Sequence, residues 1–320
     1  MRDTQARAEL PTYDDSAATS DYRARVASAF GIGFHRAPVE AWHPWRGHHV
    51  HVDDWSPEGP ARGTVILVHG AGGHGRLLAP FALPALDAGF AVRAPDLPGY
   101  GLTRVPHGTR LDYATWVDLI ADLAREASSL GPVVLAGLSV GGVTALWAAQ
   151  KAPTVAGVLA TTLIDLRDRD TFVRAARAPW LGHLALAAFR FAPHLAGALA
   201  LPMTWFTPIE TLTTDPTLSR ALCNDPLIGR RRVPVHFFRS LHTYAPPRHD
   251  FALPCPLLLI HPGADTWTPV AMSMPIYERI PTSKELIVLS NGAHAPLESP
   301  AYSELSSAMA QFLERAARSR

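Results

Sequence analysis

Only two cysteines, Cys223 and Cys255, occur in 320 residues. They are too few for a disulfide framework, which excludes a stapled secreted scaffold and leads us to expect a reducing, cytoplasmic setting. Charge of one sign is also lacking. The 29 Lys and Arg against 28 Asp and Glu leave a formal net charge of +1, which gives no general attraction to nucleic acid or an anionic membrane. Nor is there a long apolar run, because the most apolar stretch, 184–203, is broken by Arg190, Pro193 and His194. It is a poor membrane span and reads as a pair of helices. The opening residues are polar, with Asp14, Asp15 and Ser16 where a secretory apolar segment would lie, so no leader is expected. Repeats, low-complexity tracts, nucleic-acid motifs and a paired-carboxylate glycosidase site are absent.

What is present is core-forming material. At 48% hydrophobic, a chain of this length can bury a large core, and one α/β domain with an insertion fits better than two independent domains. Short apolar runs at 64–68, 91–95, 132–136, 157–162, 256–260 and 285–289 alternate with helical patterns. Between two of these runs, Tyr113, Trp116, Ile120 and Leu123 recur at spacings of three and four, and Leu305, Met309, Phe312 and Leu313 do the same near the end. Such alternation predicts a mainly parallel sheet with helices on both faces and ligands at the carboxyl ends of the strands.

The run 132–136 leads straight into Gly137-Leu138-Ser139-Val140-Gly141 and then a helical stretch. Strand, serine turn and helix form a nucleophile elbow, in which strained backbone lifts the hydroxyl clear of the sheet and the positions two before and two after must carry almost no side chain. Upstream, the β-branched run 64–68 ends at His69-Gly70-Ala71-Gly72-Gly73. A glycine-rich loop lets backbone N–H groups approach a ligand oxygen, and acyl transfer needs two such donors; Ala71 and Val140 are the expected pair. A phosphate cradle or a plain tight turn is the alternative, although neither G-x-G-x-x-G nor a Walker lysine accompanies the loop.

Two further strand ends complete a catalytic order. Asp265 follows the run 256–260, and His294 lies on the loop after 285–289. The order Ser, Asp, His is the one that accompanies a nucleophile elbow. A serine hydroxyl is protonated near neutrality and needs an imidazole to take its proton, while a carboxylate must fix that imidazole's tautomer and offset its charge. Asp165, which also follows a strand, is an alternative acid.

On these residues the chain resembles the α/β-hydrolase superfamily, in particular the branch of lysophospholipases, monoacylglycerol lipases and related carboxylesterases. The likeness runs from the strand near Val50 to the last helix and includes Asp96-Leu97-Pro98-Gly99-Tyr100-Gly101 after the run 91–95. The resemblance implies an α/β-hydrolase fold with a mostly parallel sheet of the eight-stranded type, helices on both faces and an inserted helical cap. It also implies Ser139 as nucleophile, His294 as base and Asp265 as its orienting acid, with no cofactor and no metal. Haloalkane dehalogenases and epoxide hydrolases share the fold but carry aspartate at the elbow, so their alkyl-ester chemistry is not expected here.

The expected organisation is an N-terminal extension over 1–30, a core over 31–166 and 249–320, and a cap over 167–248 inserted between the sixth and seventh core strands. The cap's Trp180, Phe189, Phe191, Trp205, Phe206, Phe237 and Phe238 are candidates for an acyl pocket, although the cap also needs a core of its own. His49 and His51 share one face of a strand, at a spacing a metal would accept, but no third ligand is evident and a solvated face is expected. Arg230-Arg231-Arg232 is read as solvated surface, a phosphate headgroup site being the alternative. The expected activity is hydrolysis of a small-molecule carboxylic ester with an apolar acyl or alcohol part, through an acyl-enzyme. A ligand receptor on the same scaffold, or an amidase or carbon–carbon hydrolase with the same triad, are the alternatives. Oligomeric state is not legible.

Overall fold

The computed structural model of the chain describes residues 10–14, 16–192 and 199–318. Residues 1–9 of the expected extension and 193–198 within the expected helix pair lie outside the described residues. The core is an eight-stranded sheet built from β1 (Val39–Trp45), β2 (His48–Trp55), β3 (Thr64–Val68), β4 (Ala91–Pro95), β5 (Val133–Gly137), β6 (Val155–Ala160), β9 (Leu257–His261) and β10 (Lys284–Val288). Its spatial order is β1-β2-β4-β3-β5-β6-β9-β10. The six strands from β4 to β10 are parallel, and β1 and β2 add antiparallel at one edge.

Burial explains which strands could be read as strands. Every residue of β3, β5 and β9 is buried, as expected of strands covered on both faces, whose sequences become continuous apolar runs. β1 is an edge strand with a mostly half-buried pattern and a proline, Pro44, so it carries no such run. Helices cover both faces: α2 (Ala79–Asp87) packs with α10 (Ala301–Arg318), and α3 (Tyr113–Ala127) packs with α4 (Val140–Lys151). The carboxylate of Asp112 caps α3 by accepting from the Ala114 N–H at 3.0 Å, meeting one of the donors a helix start leaves unpaired. Ahead of the sheet, α1 (Ala17–Phe30) ends at Gly31 in the left-handed region.

Register brings the chemistry to one edge. Val68 pairs with Gly137, Gly137 with Ala160, and His261 with Val288. The chain therefore leaves β3, β5, β6, β9 and β10 side by side, at His69, Ser139, Thr161, Asp265 and His294 respectively.

Over that edge lies the segment between β6 and β9. It holds α5 (Arg169–Ala175), α6 (Pro179–Phe191), β7 (Ala200–Pro202), α7 (Pro216–Asn224), β8 (Arg232–Pro234) and α8 (Val235–His242). The expectation of helices alone is corrected, because β7 and β8 pair as a short antiparallel ribbon. The helix pair read over 184–203 is likewise corrected: α6 stops at Phe191, and 200–202 are strand. No helix among the described residues is long and apolar enough to cross a membrane.

Candidate active site

Ser139 has φ 57° and ψ −132°, a conformation whose cost, of order 1–3 kcal/mol, persists only where surroundings impose it. They do so here through backbone proximity. A Cβ on Gly137 would lie 2.1 Å from the carbonyl oxygen of Gly141, and a Cβ on Gly141 would lie 2.0 Å from that of Val68. The turn closes only because both positions are glycine. The Ser139 N–H donates to Thr161 Oγ1 at 3.2 Å, which ties the elbow to the end of β6.

The loop after β3 passes in contact with this serine. A Cβ on Gly70 would meet Ser139 Cβ at 2.8 Å and its Oγ at 3.2 Å. Neither the Ala71 N–H nor the Val140 N–H donates a hydrogen bond among the described residues, and both residues line a chamber with Ser139. The loop is held from behind by the turn after β4. His69 sits between the Gly70 carbonyl at 2.8 Å and the Leu97 N–H at 2.9 Å, so Nδ1 donates and Nε2 accepts. Burial pushes its basicity down and keeps it neutral. Asp96 accepts from the Gly75 N–H at 2.7 Å, from Leu102 N–H at 2.7 Å and from the Tyr13 hydroxyl at 2.8 Å. The turn thus grips both ends of the loop.

His294 donates from Nδ1 to Asp265 Oδ2 at 2.8 Å, with both side chains buried. Burial alone would raise the Asp265 carboxyl, but bonding to His294 and Thr268 outweighs it and holds the group well below the usual carboxylate range. The Trp267 and Thr268 N–H groups each donate to Oδ1 at 2.9 Å, and the Thr268 hydroxyl donates to Oδ2 at 2.7 Å. This hydroxyl also lies 3.1 Å from His294 Nδ1. The Trp267 ring centre is 4.4 Å from that of His294, and its indole N–H donates to the Ala175 carbonyl of α5 at 2.8 Å. His294 Nε2 is buried without a hydrogen-bond partner and shares a chamber with Ser139. The Ser139–His294 hydrogen bond is not formed here, and in empty sites such bonds often tighten only around substrate.

Asp165, the alternative acid, forms a two-pronged pair with Arg167 at 2.7 Å per contact and does not touch His294. Thr161, Trp267 and Thr268 were not singled out from sequence. The signal for the last two was an Asx turn, an aspartate whose carboxylate takes the N–H groups two and three residues on.

Two chambers meet at Ser139. One, of about 320 Å³, is walled by apolar side chains of the cap segment, and the other, of about 100 Å³, lies on the His294 side. Of the aromatics proposed for an acyl pocket, Trp205, Phe206 and Phe238 line the large chamber. Phe189 and Phe237 are buried, while Trp180 and Phe191 face solvent. The remaining expectations are corrected in part. His51 is fully buried, not solvated: it lies 2.7 Å from Glu40 and 3.3 Å from Asp96. Glu40, His51 and Asp53 converge as a metal site would, but Arg76 already fills the role of cation, at 2.7 Å from Asp53 and 3.0 Å from Glu40. Arg231 is half-buried and donates to the Gly99 carbonyl at 3.0 Å, pinning the cap segment to the turn after β4.

Comparison with known proteins places this geometry. The profile of the family described as serine aminopeptidase, S33 matches residues 59–300. A pimeloyl-[acyl-carrier protein] methyl ester esterase of Neisseria meningitidis serogroup B is 31% identical over 245 residues, covering 74% of this chain and 88% of that protein. A monoacylglycerol lipase of Mycolicibacterium smegmatis is 28% identical over 247 residues, 73% of this chain and 81% of that one. Among solved structures, a soluble variant of monoglyceride lipase from Saccharomyces cerevisiae superimposes with TM-score 0.70 at 18% identity, over 88% of this chain and 96% of that one. At that identity it speaks for the fold alone.

Proposed function

The chain belongs to the serine aminopeptidase S33 family of α/β-hydrolases, and from that premise we propose that it cleaves carboxylic esters through an acyl-enzyme on Ser139. The observation that carries this reading is the 2.8 Å bond from His294 Nδ1 to Asp265 Oδ2, which leaves Nε2 as the one free ring nitrogen beside the serine. In this reading Nε2 takes the Ser139 proton as Oγ attacks the ester carbon. The Ala71 and Val140 N–H groups receive the developing oxyanion, and His294 returns the proton to the departing alkoxide. Water, activated by the same imidazole, then releases the acid. Asp265 stays ionised throughout and holds the ring in the tautomer with its proton on Nδ1.

The large chamber supports an apolar acyl group. A cavity of ~150 Å³ holds the six carbons of benzene, so about 320 Å³ takes an acyl chain of roughly twelve carbons. The family's description names aminopeptidases, which must bind an ammonium group. Neither chamber is lined by a carboxylate among the described residues, which favours esters over peptides. The segment 167–248 is then a lid whose side chains wall the chamber over the serine. The two cysteines, both free thiols, support the reducing, cytoplasmic setting that we also propose.

Turnover of a methyl ester series of increasing acyl length tests the reading. An acyl adduct on Ser139 trapped by acid quench and seen by mass spectrometry, rates greatest between about eight and twelve acyl carbons, and a fall of ~10⁴-fold or more in Ser139→Ala are expected. Near-normal turnover by folded Ser139→Ala would end it.

A further inference from the structure

We infer that the smaller chamber receives the leaving group and that this group is a small apolar alcohol, not glycerol. The inference rests on the ester-hydrolase reading and adds which side of the scissile bond goes where. The departing oxygen must come within hydrogen-bond reach of the imidazole that protonates it. His294 lines the chamber of about 100 Å³ and is absent from the lining of the larger one. The alcohol therefore lies toward Leu212, Leu222 and Tyr22, and the acyl chain toward α5, α6 and α8.

Size and polarity then narrow the alcohol. By the benzene yardstick of ~150 Å³ for six carbons, the small chamber holds roughly four non-hydrogen atoms. Its walls offer a polar ligand almost nothing. The Tyr22 hydroxyl already donates to the Leu77 carbonyl at 2.9 Å, and both nitrogens of His69 are engaged. Thr213 Oγ1 is taken up with Ser219 and the Asp215 carbonyl. Among the described residues, the one buried side-chain polar atom of this chamber without a partner is His294 Nε2, which the ester oxygen needs. The two further hydroxyls of a glyceryl group would meet a mostly apolar wall in which no other buried side-chain polar atom of the described residues lacks a partner. Tyr22 belongs to α1, before residue 59 where the family match begins, so its part of the wall lies outside the matched segment, while Leu212 and Leu222 lie within it.

Octanoate esters of methanol, 1-propanol, 1-hexanol and glycerol, compared by kcat/KM in wild type, test this. Propyl octanoate should exceed both glyceryl and hexyl octanoate by at least about 10-fold. Leu212→Ala should raise hexyl relative to propyl by about 10-fold, and Leu212→Phe should lower propyl relative to methyl. Both should leave the acyl-length preference with methyl esters unchanged. Glyceryl octanoate cleaved as fast as propyl, or Leu212 variants that move the acyl preference instead of the alcohol preference, would overturn the inference while leaving ester hydrolysis standing. If wild type cleaves none of the four esters, the underlying reading falls and this one with it.

Discussion

The sheet edge and the cap segment meet at the same serine but are built to different tolerances. At the edge, backbone touches backbone: the glycines flanking Ser139 have no room for a single methyl group, and β3, β5 and β9 are buried throughout. Where the cap walls the large chamber the surface is made of side chains, and several large apolar groups of the cap, Trp180, Leu184, Phe191 and Trp205, remain exposed. Close backbone packing transmits any displacement, whereas a wall of side chains can be changed one residue at a time. On the proposed reading, the difference assigns reactivity to the frame and substrate choice to the part that can vary.

The largest effect that would break this contrast concerns the frame. Gly141→Ala would place a Cβ 2.0 Å from the Val68 carbonyl oxygen, so the elbow and β3 must separate. A loss above about 4 kcal/mol in denaturant melts is expected, and a variant as stable as wild type would show the turn is looser than described.

Acid should also act on the frame first. His74 is buried against Tyr13, with ring centres 4.7 Å apart, and burial pushes its pKa down to about 3. The unfolded chain takes up that proton near pH 6.5 and the folded chain does not, so folded stability falls as pH drops from about 6.5 toward 3. His74→Phe, which keeps a ring there, should flatten the pH dependence of Tm over that window. An unchanged slope would remove His74 from the account.

A smaller effect is expected at Thr268, whose hydroxyl bonds Asp265 Oδ2. Thr268→Val should lower kcat by about tenfold, the net worth of one hydrogen bond, and Thr268→Ser should restore it. The depressed Asp265 carboxyl contributes above its unfolded value and is lost as pH falls through its folded one. Without the Thr268 donor that folded value rises, so acid inactivation should begin at higher pH in Thr268→Val. Coincident acid limbs for the two proteins would contradict this.

The smallest effect sharpens the other half of the contrast. Trp205 is 56% exposed yet lines the large chamber. Trp205→Ala should change stability by no more than about 0.5 kcal/mol while moving the preferred acyl length upward, read from kcat/KM across the ester series. A large loss of Tm with an unmoved preference would make Trp205 a packing residue.

The same contrast explains what was legible in the sequence. Strands buried on both faces left unbroken apolar runs, and Gly137 and Gly141 marked the elbow because no other residue fits there. β1 escaped notice because its polar residues find partners far along the chain, as Glu40 does with Arg76. Sequence alone also left Asp165 and Asp265 as competing acids. Space separates them: Arg167 claims one and His294 the other. The cap was the least legible part. Helical spacing does not say which aromatics face a chamber, so Phe237 and Phe238, adjacent in sequence, divide between packing and pocket.

Peptide mapping after fluorophosphonate treatment tests the central claim most directly. A single adduct on the peptide carrying Ser139, formed at least ~10³-fold more slowly in His294→Ala, is the expected result. An adduct on another residue, or labelling of folded His294→Ala at the wild-type rate, would contradict it.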